Sequence, residues 1–88
     1  MITTKCKITK QLYSKDDFRI FGCVPLDHSD AIQLNKYGSF TITGDLAYLV
    51  EGNEYTLNIE PDKEYNGTMQ YKVISVPTLD IDIENMTE

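Results

Sequence analysis

The chain has no tryptophan, one histidine and two cysteines in 88 residues, and each scarcity removes a class of chemistry. His28 stands alone and no Cys-x-x-Cys pair exists, so the ligand spacings of a structural zinc site are missing. Cys6 and Cys23 do not make the disulfide framework of a small secreted domain. They read as two reduced, buried thiols that pack as small hydrophobes. No Gly-x-x-x-x-Gly-Lys-Ser/Thr loop is present to cradle a triphosphate. A nucleophile would have to use His28 from a polar stretch with no fixed partner nearby, and an incidental histidine is the simpler reading. Asp80 and Asp82 fall in a solvated tail unsuited to general acid–base work. Apolar runs are only a few residues long, too short to span a bilayer. The N-terminus lacks the apolar core of a signal peptide, which points to a cytoplasmic protein and removes meaning from the sequons at Asn66 and Asn85. No catalytic residue, metal or cofactor is implied.

What remains is an ordinary globular composition, 41% hydrophobic and 25% charged, in a chain long enough for one domain with one modest core. Net charge is −6, and its distribution is uneven. Residues 1–21 carry Lys5, Lys7, Lys10, Lys15 and Arg19 against Asp16 and Asp17, a net of +3. Residues 22–88 carry three bases against twelve acids, a net of −9. Overall acidity argues against a protein that grips duplex DNA by neutralising phosphates on its own. The basic first hairpin leaves local contact open, beside the plainer reading of a solvated face.

Five short alternating segments, broken by turn signals, predict an all-β chain closed into a small barrel, with at most one short helical turn. Cys6, Ile8 and Leu12 are expected on one side of the first strand, with Lys5, Lys7, Thr9, Gln11 and Tyr13 on the other. Ser14-Lys15-Asp16-Asp17 turns the chain into a second strand, Phe18–Val24, apolar on both faces as suits a strand that bends or bulges where a barrel closes. Pro25 ends it, and Leu26–Asn35 is a polar connection. Phe40 and Ile42 mark a third strand broken by Gly44-Asp45. Leu46–Val50 suits either a helical turn or a short strand. Tyr55, Leu57 and Ile59 alternate in a fourth strand, which Pro61 is expected to end. Asn66-Gly67 is a strong hairpin signal, Thr68–Val76 forms the fifth strand, and Pro77 stops it. The barrel is thus expected over residues 1–77. Residues 78–88, with four acids and no base, read as an acidic linker in which Thr87-Glu88 starts a helix, so the chain is expected to be the N-terminal piece of a longer protein.

Six tyrosines need a place. Tyr55 and Tyr71 have apolar neighbours in register and are expected in the core. Tyr13 and Tyr37, beside Lys15 and Lys36, suit either a half-buried edge or the stacking of exposed bases, which sheet-type modules use to hold single strands.

The order of the segments carries a resemblance. KITKQLYSKDDFRIFGCVPLD is similar to the opening hairpin of the N-terminal domain of RecD-like DNA helicases. FTITGDLAYLVEGNEYTLNIE resembles that family's next segment, in which Gly52, Tyr55, Leu57 and Glu60 match a Gly-x-x-Tyr-x-Leu-x-x-Glu pattern. YNGTMQYKVISV resembles its closing strand, with Asn66 departing from the pattern between the tyrosine and the glycine. The likeness covers residues 5–77. It implies a five-stranded OB-type barrel, a non-catalytic accessory domain in front of an ATP-driven motor whose motifs are absent here. On that reading the partners are single-stranded DNA, held weakly, the downstream helicase domains or another protein. OB barrels bind oligomers at the turns after strands one and four and on the face of strands two and three. The candidate contacts are therefore Tyr13 and Tyr37 for stacking, with Lys15, Arg19, Lys36 and Lys63 for phosphates. The alternative is a complete small acidic protein that binds a host or partner protein by charge complementarity. The lysine- and asparagine-leaning composition suggests a phage source. A reading frame that continues past Glu88 into a phosphate-binding loop separates the two.

Overall fold

Thr4, Cys6 and Ile8 turn inward while Thr3, Lys5 and Lys7 face solvent, the period of two that makes β1 (Ile2–Lys15) a half-buried strand. The computed structural model describes residues 2–27, 32–65, 68–79 and 81–82. Expectations placed on His28, the Asn66-Gly67 turn, Asp80 and residues 83–88 lie outside that set. Four further long strands follow: β2 (Phe18–Pro25), β3 (Phe40–Asp45), β4 (Glu54–Tyr65) and β5 (Thr68–Val76). A 3₁₀ turn at Pro77–Leu79 and a two-residue strand, β6 (Ile81–Asp82), complete the described chain. No described helix is long and apolar enough to cross a membrane.

The strands lie in the order β3-β2-β1-β4-β5-β6, and a parallel pairing of β3 with β5 seals the cylinder. β1 meets β4 only over Ile2–Lys7 but meets β2 from Cys6 to Lys15. That stagger lets five strands tilt enough to close. The result is a five-stranded OB-type barrel, as the sequence predicts. Two hairpin arms arise where β1 runs on past Lys7 without β4 and β4 runs on past Ile59 without β1, while β2 and β5 stay paired with β3.

The core is drawn from alternate positions on every strand. Ile8, Phe21, Phe40, Ile42, Leu57, Ile59, Val73 and Val76 are all essentially inaccessible, each contributing roughly 1.5–3 kcal/mol by burial. Tyr55 and Tyr71 are buried as expected, and both pair their polar ends. The Tyr71 ring packs edge-on against Phe40 at 5.9 Å, and its hydroxyl accepts the Gln33 N–H at 2.7 Å. The Tyr55 hydroxyl accepts the Val50 N–H at 3.0 Å. Each core tyrosine therefore fastens a loop.

Three expectations change. Leu12 is 52% exposed, because β1 carries register irregularities between Ile8 and Lys10 and between Gln11 and Tyr13. An extra residue in a strand inverts its alternation. The bulges sit on β1; in β2, Phe21 and Cys23 point into the core while Ile20 and Val24 are only partly covered and Phe18 is exposed. Pro61 does not end β4, which runs on to Tyr65 with an irregularity between Pro61 and Lys63. Proline is tolerated at a bulge, where no ladder N–H is required. Of the two forms open to residues 46–50 the structure takes a turn, closed by the Leu49 N–H on the Leu46 carbonyl at 3.0 Å, with Leu46 and Leu49 buried in the core.

Candidate nucleic-acid interface

The β1–β2 arm is shaped by its turn. Lys15 faces Phe18 across a two-residue loop, and Asp16 takes a left-handed φ of 54°, a conformation aspartate tolerates better than most residues. The Arg19 guanidinium donates to the Asp16 carbonyl and to the Phe18 carbonyl, the latter at 3.0 Å. One carbonyl in the turn and one at the start of β2 are thereby held by a side chain of the returning strand. Just below, Tyr13 and Phe18 meet edge-to-face, centroids 6.0 Å apart with planes at 69°. Both remain open to solvent, Tyr13 at 48% and Phe18 at 38%. Lys10 and Lys15 are exposed on the same strand. Their ammonium groups have no described carboxylate holding them.

A second, different presentation lies in the β2–β3 connection. The Asn35 side-chain oxygen accepts the Tyr37 N–H at 2.8 Å, the Ser39 N–H at 3.1 Å and the Ser39 hydroxyl at 3.1 Å. Its backbone carbonyl accepts the Gly38 N–H and its N–H donates to Ser39. Gly38, at φ 76°, supplies the left-handed residue this turn needs. Lys36 and Tyr37 sit at the tip, Tyr37 78% exposed, with the Lys36 ammonium 5.1 Å from the ring centroid. Below the tip, Ile32 is buried. At the connection's start the Asp27 carboxylate accepts the Thr4 hydroxyl at 2.8 Å and the Lys5 N–H at 3.0 Å. Those two bonds, the hydroxyl first, hold the Asp27 carboxyl below the usual range.

Of the six candidate residues, the structure gathers Tyr13, Lys15 and Arg19 on one arm. Lys36 and Tyr37 lie at the other end of β2, next to Phe40, which pairs with Cys23. Eight extended residues separate the two ends by roughly 25 Å. Lys63 is exposed on β4 opposite Gln70, which in turn pairs with Thr41 of β3.

Sequence reasoning missed Phe18 and Lys10. Phe18 was readable in principle: a two-residue turn at Asp16-Asp17 sets Phe18 opposite Lys15 and within diagonal reach of Tyr13. Also missed was an acidic cleft of about 440 Å³ lined by Asp17, Asp45, Ala47 and Tyr48. The Tyr48 hydroxyl is buried there without a described hydrogen-bond partner. Burial, then the Asp45 charge, pushes its pKa up to about 12. Two carboxylates, Asp17 and Asp45, make this flank of the arm negative. The thiols of Cys6 and Cys23 are free and inaccessible; hydrogen bonding to Cys6 and burial push the Cys23 pKa up, leaving it a packing residue rather than a nucleophile.

Comparison with protein-family models, with curated proteins and with solved structures found no match to this chain.

Proposed function

We propose that this chain is an OB-type accessory domain of a RecD-like helicase, standing before the motor and engaging single-stranded DNA through its β1–β2 arm. The observation that carries the reading is the solvent-open Tyr13–Phe18 pair flanked by Lys10 and Lys15. An edge-to-face pair leaves a ring face free, and every base has a face to lay on it, which supplies contact without sequence choice. Lysines on the same strand meet the flanking phosphates. Arg19, whose guanidinium holds the turn, acts on DNA through the arm's shape more than by direct contact. A net charge of −6 keeps the affinity low and salt-sensitive, as suits a domain that helps a motor instead of anchoring it.

The test is anisotropy of a labelled oligothymidine across a salt series. Binding that weakens with salt and falls on Tyr13→Ala, Phe18→Ala or Lys15→Ala supports the arm as the contact. Absence of binding at low salt removes nucleic acid from this domain's work. The helicase assignment has its own check, a coding sequence downstream of Glu88 that encodes a phosphate-binding loop.

A further inference from the structure

The arm has an edge as well as a face. β1 is paired with β4 only as far as Lys7. The loop after residue 50 continues that pairing for one more step, with the Ile8 N–H on the Asn53 carbonyl at 2.9 Å and the Gly52 N–H on the Ile8 carbonyl at 2.7 Å. Beyond it, from Thr9 to Lys15, the edge opposite β2 has no strand partner among the described residues. One group does sit on it: the Glu51 carboxylate accepts the Gln11 N–H at 2.9 Å. The outward amide of a strand is thus occupied by an acid borrowed from a loop, where a partner's carbonyl would bond in an extended sheet.

We infer that the Thr9–Lys15 edge of β1 is a docking site for an extended acidic peptide, which adds a strand to the barrel by displacing Glu51. Three features choose that occupant. The strand segment carries Lys10 and Lys15 and no acid, so an incoming strand is favoured when its side chains are negative. A second copy of the same edge would set lysines against lysines, which disfavours self-pairing. The half-exposed Leu12 and Tyr13 offer apolar contact to alternate residues of the guest. The two bulges twist the edge and blunt indiscriminate pairing, leaving charge to select the partner. This surface shares Lys10, Tyr13 and Lys15 with the face assigned to DNA but engages the backbone edge of β1, so protection of the Gln11 amide is the readout that tells the two apart.

The probe is a fluorescein-labelled heptapeptide alternating glutamate with valine, titrated at low and moderate salt against the full chain. Expected is saturable, salt-weakened binding, tightened roughly threefold by Glu51→Ala as the competing carboxylate is removed. A Lys10→Glu/Lys15→Glu double variant weakens it at least about tenfold. Amide exchange at Gln11 slows on peptide addition and is unchanged by oligothymidine, which distinguishes a new strand from stacking on the face. The inference is overturned by no binding to either the wild type or Glu51→Ala at low salt. It is equally overturned by binding that leaves Gln11 exchange unchanged, by equal binding of a lysine–valine heptapeptide, or by Glu51→Ala forming a dimer in light scattering without peptide. Glu51 is exposed, so its loss leaves the core intact, and the charge-reversed variant provides a second surface change.

Discussion

The β1–β2 arm and the β2–β3 connection each offer a tyrosine next to a lysine near a turn, and the chain treats them in opposite ways. In the connection, the Lys36 ammonium already sits over the Tyr37 ring, and Asn35 gathers the surrounding amides. Cation and ring face each other, and the tip is rigid but largely self-contained. On the arm, Tyr13 takes an aromatic neighbour instead of a cation, and Lys10 and Lys15 are exposed on the same strand. The lesson is that a Tyr-Lys pair is a candidate ligand contact only when its charge has not been absorbed locally.

That contrast can be broken most directly by binding. Tyr13→Ala should weaken oligothymidine binding roughly 5- to 150-fold, the loss of one stacked base at about 1–3 kcal/mol. Tyr37→Ala should change it by less than about twofold. Equal losses from both would erase the distinction between the two turns.

Stability sharpens the same comparison. Asn35→Ala removes three accepted hydrogen bonds in a half-buried turn and should cost about 1–2 kcal/mol in chemical denaturation. Asp16→Gly relieves a left-handed φ at the arm's turn and should stabilise by about 0.5–1 kcal/mol. A destabilised Asp16→Gly chain would mean that the aspartate side chain holds the turn.

The smallest effect expected is pH-dependent and belongs to the connection alone. Asp27 is depressed on folding by the Thr4 hydroxyl and the Lys5 N–H. A carboxyl so shifted adds stability above its unfolded value, and that stability is lost as pH falls through the folded one. Asp27→Asn should lower Tm at pH 7 by roughly 1–4 °C, a figure discounted for its exposure. The gap to wild type should close as the pH is taken below about 3.9. A gap that persists undiminished in acid would assign the effect to packing.

Much of the barrel was legible in residue order. Cys6/Ile8, Phe40/Ile42 and Tyr55/Leu57/Ile59 alternate cleanly, and all are buried. Leu12 was misread because an inserted residue in β1 leaves no mark in a pattern of single letters. Pro61 was misread because a proline at a bulge and a proline at a strand end look the same in sequence. Tyr13 and Lys15 were picked out by residue type, but Phe18 was hidden by its place in a run that is apolar on both faces. Glu51 could not have been found at all: it lies 40 positions from Gln11, and only barrel closure brings them together.

The chain alone determined that strands form, which positions alternate, where the thiols and core tyrosines go, and that positive charge gathers before residue 22. These are local matters, set by side-chain period and by the conformations that glycine, proline and aspartate permit. Tertiary structure decided which edge of β1 is left open, that a carboxylate from the loop after β3 rests on it, and that two similar Tyr-Lys turns end up with different freedom. Those outcomes depend on stagger around a closed sheet, a property of all five strands at once that no single segment encodes.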